Sequence, residues 1–437
     1  MKKVVVSILL VTFVLTAFAA FGVDFGASVY NNTGLDYTNL DGKLDFTQLD
    51  IAGLWVSLDI KERLNFYIKG SYAFNYSSEN PPKKPHFFDL DALTIKNVGD
   101  NPLVVTIGRF SASDFTRYVF DNKIDGISAA FNVPMFSLNA IVGYNGLLFK
   151  ERSSVIMTRA DLLDLSDNNR LFAAPRLVGG FNIVIPDLFL RQDVKLGVWT
   201  QLDLRQASEL SVGEGRLSSQ YYGVGLEGPI VSSLYYTGSF YFETGKAYSL
   251  SLNKDSTILS YMGSVGFSYY MDKLLFSKAA IDAIYSSGDG DYKSLFYDGN
   301  TEGYSTMFLP ISRFVFGKVF SPELGNIFLV KASYSIKPLS FLKGEGLRGV
   351  RNIQTEVTAF TYFRSTLGTI SEAGVNAGSS SLYLGTEVDG SINGMLLSDL
   401  GVFVSGGVFF PNNYSGGVFV GSKDIEAKGS LGIYFEF

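Results

Sequence analysis

The sequence predicts an all-β chain, a membrane-spanning antiparallel up-and-down β-barrel of about 18 strands with about 16 as the fallback. Three observations predict it. Past residue 22 there is no uncharged apolar stretch of the roughly 18 residues that a spanning helix requires. Mean hydropathy is nonetheless positive at +0.18, with 15% aromatic and 18% charged residues, against about 25% charged in soluble domains. Apolar residues then recur at every second position in long runs, well beyond the typical strand of about five or six residues.

The chain opens with MKKVVVSILLVTFVLTAFAAFG, in which Lys2 and Lys3 precede an apolar run from Val4 to Ala20. Small residues close it at Ala17, Ala19, Ala20 and Gly22. This pattern predicts a secretory signal peptide over 1–22, cut somewhere in 19–22, whereas a membrane anchor would need a longer run with a stop-transfer flank. Residues 23–437 then form a single transmembrane β-barrel domain. Strands beginning by Val23 leave no room for an N-terminal plug. There is no cysteine, so packing and backbone pairing must hold the exported chain together. Removing Lys2 and Lys3 takes the net charge from −6 to −8, which argues against a nucleic-acid partner, since that requires a basic face.

Strict period-two alternation follows. In LNFYIKGSYAFNY, Leu64, Phe66, Ile68, Gly70, Tyr72, Phe74 and Tyr76 share one face, with Tyr67 and Lys69 on the other. In DVKLGVWTQLDLR, Val194, Leu196, Val198, Leu202 and Leu204 oppose Asp193, Lys195, Trp199, Gln201, Asp203 and Arg205. Alternation of this kind puts each set on one side of a sheet. In lipid every backbone group must be paired, and strands achieve that only by closing. Aromatics near strand ends, such as Tyr72 to Tyr76 and Tyr269 with Tyr270, suit the headgroup level.

Short turns are expected at 61–63, 98–102, 133–134, 186–187, 228–229, 272–273 and 393–394, and a longer one opens at Lys337–Pro338. Long polar connections are expected at 150–175, 288–325, 365–380 and 411–426, on the opposite side. FLPISRFVFGKVF (308–320) reads as a strand, but a nineteenth strand would put the two termini on opposite sides. It is therefore assigned to the long loop. Loops 150–175 and 288–325 are expected to set the bore; whether they fold inward stays open.

Enzyme chemistry is disfavoured. His86 is the one histidine, in the loop PPKKPHFF, and a triad needs a nucleophile beside a base. No Gly-x-Ser-x-Gly elbow appears. GVGLEG (223–228) has the letters of a dinucleotide loop but lies in a strand, not at a strand-to-helix turn. RADLLDLSDNN (159–169) reads as a short helix whose Asp161, Asp164 and Asp167 lack the spacing of a calcium loop. No cofactor and no metal is expected.

The predicted inward faces carry Lys69, Arg109, Asp193, Lys195, Asp203, Arg205, Lys278, Asp282, Lys331, Glu356, Arg364, Glu387 and Asp389. Charges of both signs argue for a wet interior with weak ion selectivity. The inward aromatics Tyr67, Trp199 and Tyr362 are candidates to stack on sugar rings.

The chain ends GSLGIYFEF, with Leu431, Ile433, Phe435 and Phe437 alternating. The segment from Gly432 through Phe435 to Phe437 resembles the terminal strand signal of bacterial outer-membrane proteins, with Leu431 in place of the usual polar residue. That resemblance implies the barrel-assembly machinery as a biogenesis partner. A looser resemblance links Ile107–Phe131 and Tyr383–Pro411 to alginate-export-type and related substrate-specific porins, through Arg109, Asp125, Glu387 and Asp389. The resulting expectation is an outer-membrane, porin-like channel for passive diffusion of small hydrophilic solutes, with carbohydrates or anions as the classes considered. The alternative is a plugged structural or adhesive barrel acting through its loops. Outer-membrane lipid is the expected surrounding; the oligomeric state stays open.

Overall fold

The computed structural model describes residues 23–38, 43–61, 63–79, 81–82, 84–99, 102–210, 215–249, 253–290, 296–298, 304–344, 348–413, 417–421 and 423–437. The stretch 1–22, read as a signal peptide, lies outside them. Alternating residues build the wall strand by strand: β1 (Val23–Thr38), β2 (Lys43–Ile60), β3 (Leu64–Ser77), β4 (His86–Asn97), β5 (Leu103–Ser113), β6 (Asp121–Val133), β7 (Phe136–Tyr144), β8 (Arg176–Phe189) and β9 (Gln192–Asp203). The second half comprises β10 (Gly215–Val231), β11 (Leu234–Ser249), β12 (Lys254–Met271), β13 (Ser277–Ser286), β14 (Ile327–Ile336), β15 (Gln354–Arg364), β16 (Tyr383–Met395), β17 (Leu400–Pro411) and β18 (Glu426–Glu436).

Each strand pairs antiparallel with its sequence neighbours, and β1 pairs with β18, so the sheet closes as an 18-stranded up-and-down barrel. Ala27 and Phe437 exchange both backbone hydrogen bonds, at 2.9 and 3.1 Å, and the terminal phenylalanine is thereby part of the closing seam. An even strand number brings both chain ends to the short-turn end. Outward residues such as Leu54, Ile107, Val142 and Leu431 are exposed at 69, 51, 56 and 56%. Hydrocarbon is the solvent such a belt suits. Segment 308–320 is no wall strand: it lies in the long loop, with Phe308, Ile311 and Phe320 fully buried.

Three turns fall later than the sequence suggests. Pro186 and Pro229 lie inside β8 and β10, each at a register shift, where a missing N–H is tolerated. The β8–β9 turn is Leu190–Arg191, both with positive φ (49° and 65°). That geometry suits a type I′ turn, which usually announces itself by Asn or Gly. Asn393–Gly394 remains within β16, and its turn follows Met395.

The wall is weakest between β4 and β5. They pair only over Leu93–Lys96 with Thr106–Arg109, although both strands continue. Gly108 marks the divergence: its φ is +125°, and a Cβ there would lie 1.9 Å from the Leu93 carbonyl oxygen.

Candidate functional site: a constriction built by inward loops

Nine loops leave the long-loop end. The third (114–120), the fourth (145–175) and the described parts of the seventh (287–290, 296–298 and 304–326) fold into the barrel and meet there. Ser312 of the seventh loop donates its N–H to Val119 O at 3.1 Å, its hydroxyl accepts from Asp121 N at 3.1 Å, and Arg313 N donates to Ser154 O at 2.7 Å.

Asp114 turns the third loop inward. Its carboxylate accepts from the N–H of Thr116 (2.7 Å), Val119 (3.0 Å) and Phe120 (2.8 Å) and from the Tyr241 hydroxyl (2.8 Å). Phe115 stacks on Tyr241 with centroids 5.2 Å apart. It lies over Gly197 and Gly225, where a Cβ would come within 3.0 and 2.8 Å of its ring. Small residues on β9 and β10 therefore make room for this loop. Arg117, with φ 64°, stands exposed beside Tyr118. Tyr118 packs edge-on against Phe314 at 4.9 Å. Burial pushes the Tyr118 hydroxyl up to about 12.

The fourth loop carries α1 (Arg159–Ser166), capped by Thr158 and Asp161 in a capping box. Asp161 is also the centre of a buried ion network. It pairs with Arg176 at 2.8 Å and Arg205 at 2.7 Å; Asp203 pairs with the same two arginines at 3.0 and 2.5 Å. All four side chains are 4% exposed or less. Burial favours the neutral acid. The two guanidiniums and the Met157 and Thr158 amides outweigh it and hold the Asp161 carboxyl below its ordinary value. The sequence-based helix is thus present and its aspartates bind arginines; among the described residues no acidic cluster suited to a metal occurs.

Two wall glutamates hold the seventh loop. Glu243 of β11 accepts from Ser260 at 2.5 Å and from Leu309 N at 3.1 Å. Glu387 of β16 accepts from three consecutive N–H groups, Lys318 (2.6 Å), Val319 (2.9 Å) and Phe320 (2.9 Å). Phe320 stacks on Phe409 at 4.3 Å and meets Tyr362 edge-on at 5.1 Å.

The sequence candidates divide into two groups. Asp203, Arg205, Arg364 and Glu387 are buried loop anchors. Arg364, 1% exposed, donates to the carbonyls of Gly368 and Ser379, both at 2.7 Å, and so fixes the eighth loop (365–382). Arg109 is buried beside the β4–β5 divergence, bonded to Asp125 at 2.8 and 2.7 Å and to Leu90 O at 3.1 Å. Asp389, 5% exposed, lies behind Glu387 against Gly407. Trp199 and Tyr362 face inward but offer no free ring, because Phe120 covers Trp199 at 5.0 Å and Phe320 covers Tyr362.

The others remain on the watery wall. Lys195 pairs with Glu227 at 2.7 Å, Lys331 with Asp282 at 3.9 Å, and Lys278 lies over the Tyr270 ring at 5.5 Å. Asp193 accepts from Asp187 N at 3.0 Å, and Glu356 from Thr358 at 3.2 Å. Lys69 lies opposite Trp55, which stacks on Tyr67 at 6.1 Å. Below the third loop, hollows of 190 and 560 Å³ share Glu227 and Thr237 and are flanked by Lys195, Lys278, Tyr235 and Tyr270. A 280 Å³ hollow on the far wall holds Asp36, Lys318 and Lys428. At the closing strand, Gly432 leaves space for the Phe403 ring, and Phe435 packs on Phe437 at 5.4 Å.

Asp114, Glu243 and Arg176 were missed. Neither Glu243 nor Arg176 is among the inward charges read from the sequence; the barrel buries both on its inner side, and nothing in local sequence says which inward charge meets a loop distant in the chain.

No family model and no curated protein sequence matches this chain. Solved structures do share its fold. Pseudomonas aeruginosa OpdQ aligns at TM-score 0.56 and 8% identity over 95% of this chain and 98% of its own. Pseudomonas aeruginosa OccK2 (OpdF), solved in complex with glucuronate, aligns at 0.56 and 11% over 95% and 98%. Acinetobacter baumannii OccAB3 aligns at 0.55 and 10% over 95% and 99%. None of the three is described as an alginate exporter.

Proposed function

We propose that this protein is an outer-membrane channel of the porin type, through which small hydrophilic solutes diffuse passively past a constriction made by loops three, four and seven. The observation that carries this reading is the pairing of a fixed constriction with a wet wall. The loops are pinned by buried charged side chains, while Lys195, Glu227 and Lys278 below them line connected hollows and the Lys331–Asp282 pair stays part-exposed on the wall. Cations and anions there alternate, which supports weak ion selectivity. Tyr235 and Tyr270 supply ring faces beside those charges, and Tyr67 supplies another on the β3 wall beside Trp55, a setting suited to a hydroxylated or carboxylated solute such as a sugar acid. The fold shared with a glucuronate-bound structure points the same way. Before it closes on β1, the terminal strand from Gly432 to Phe437 would be the edge that a barrel-assembly partner engages.

A second reading rests on one observation: the seventh loop brings Phe308, Ile311, Phe316 and Phe320 into the barrel as a packed core. A barrel filled this way would act through its surface loops. Single-channel recording of the refolded protein in a planar bilayer separates the two. Ohmic current steps, reduced by glucuronate or a related sugar acid, are expected; folded protein that gives no steps moves the assignment to the plugged barrel.

A further inference from the structure

The outward apolar belt is interrupted at one place. On β1 the outward residues run Val29, Asn31, Thr33, Leu35; opposite them on β2 stand Ala52, Asp50, Gln48 and Phe46. Val29, Leu35 and Phe46 are 46, 48 and 40% exposed, as lipid-facing side chains are. Two polar rungs are thus bracketed by apolar rungs on the same face. Ile433 and Leu431 of β18 flank them on one side, Phe74 and Tyr76 of β3 on the other.

Their bonds are incomplete. Asn31 Nδ2 donates to Asp50 Oδ1 at 2.6 Å, Gln48 Nε2 donates to the same oxygen at 2.8 Å, and Thr33 Oγ1 donates to Gln48 Oε1 at 2.8 Å. That uses one carboxylate oxygen and one N–H of each amide. Asp50 Oδ2 and the second N–H of each amide make no hydrogen bond among the described residues. No lysine or arginine shares the outward face of β18, β1, β2 or β3. An ionisable side chain turned to hydrocarbon is costly, and such groups are found facing protein or a polar cavity.

What remains free among these bonds is Asp50 Oδ2, Asn31 Oδ1 and two amide N–H donors within the same small patch. That set is self-complementary, as the two sides of a two-fold interface must be. We infer that the β1–β2 outer face docks on the same face of a second copy of this chain in the membrane, with Asp50 of each copy accepting from Asn31 and Gln48 of the other. The inference requires only that the barrel is embedded in lipid and holds whether or not the lumen conducts.

The natural chain has no cysteine, so single thiols report the contact directly. Val29→Cys places one beside the patch; Val224→Cys places one on the outward face of β10, across the barrel. Each full-length protein is refolded into phosphatidylcholine vesicles and oxidised, and dimer formation is followed on non-reducing gels. Val29→Cys is expected to cross-link at least about tenfold faster than Val224→Cys, because a docked pair raises the effective thiol concentration. Replacing Asn31, Gln48 and Asp50 by Leu in the Val29→Cys protein is expected to bring the rate down to that of Val224→Cys, with conductance per barrel unchanged. Equal rates for the two single-thiol proteins overturn the inference without any altered patch residue. A fast rate that survives the triple replacement in folded protein overturns the assignment to these side chains.

Discussion

Replacing Asp161 by Asn keeps the shape of the side chain and removes the charge that docks the fourth loop. In the folded barrel Arg176 and Arg205 share Asp161 and Asp203, with Asp164 3.5 Å from Arg205 as a more exposed third carboxylate. In the Asp161→Asn protein the side-chain carbonyl can still accept from the Met157 and Thr158 amides, which reach the native carboxylate at 2.8 and 2.9 Å. It then has no charge to offer either guanidinium. Two arginines that are 0 and 4% exposed lose half of their close carboxylate partners. Breaking a buried pair from one side costs about 3–5 kcal/mol. At about 1.4 kcal/mol per factor of ten, the undocked fraction of the loop should rise roughly 150- to 4,000-fold. Met157 is fully buried beneath the docked loop, so a Met157→Cys reporter in this cysteine-free chain is reached only when the loop lifts. Maleimide labelling of Met157→Cys should accelerate by the same factor, about two to three and a half orders of magnitude, when Asp161→Asn is added. Asp167→Asn serves as the control, since Asp167 contacts neither arginine. Labelling rates within threefold of one another would refute the claim that this network holds the loop.

Three further outcomes follow from the same geometry. Glu387→Gln leaves one carbonyl oxygen for three N–H donors, so the tip of the seventh loop should lose about 2–4 kcal/mol of anchoring; single-channel recording should show larger or noisier steps, and unchanged traces from folded protein contradict the anchor. Gly108→Ala forces a side chain into left-handed φ and against the Leu93 carbonyl, at a cost of about 3 kcal/mol or more; urea unfolding in detergent should shift to lower concentration, and an unshifted curve would show that β5 does not need glycine to leave β4. Acid should release the fourth loop: the folded Asp161 pKa lies below its unfolded value of about 3.9. Its contribution is therefore complete above that value and is lost as pH falls through the lower, folded one. Current fluctuations should be flat between pH 7 and 5 and rise only below about pH 4; a rise near pH 6 would assign the switch to another group.

Much of the wall was legible along the chain. Alternation in 64–76 and 193–205 places the same residues outward and inward as the barrel does, because period two is a property of the strand itself. Parity settled 308–320 for the same kind of reason: a closed barrel with both ends on one side admits only an even count. Turns were less legible. Leu190–Arg191 turns the chain without glycine or asparagine, and Pro186 and Pro229 mark bulges within strands, so composition pointed a few residues early.

The constriction was legible only as a list of charges. Glu387 and Lys195 look alike in sequence, each an inward ionisable residue in an alternating run. Glu387 grips three loop amides and is dry, whereas Lys195 pairs with Glu227 and stays wet. Sequence alone determined the fold class, the membrane belt and the side of the wall on which each residue stands, since all of these follow from local periodicity and hydropathy. Tertiary structure decided which inward charges anchor loops, which stay part-exposed on the inner wall, and where the belt carries Asp50. Those outcomes depend on partners brought from distant parts of the chain, such as Arg176 to Asp161 or Glu387 to Phe320, and a periodic pattern carries no information about them.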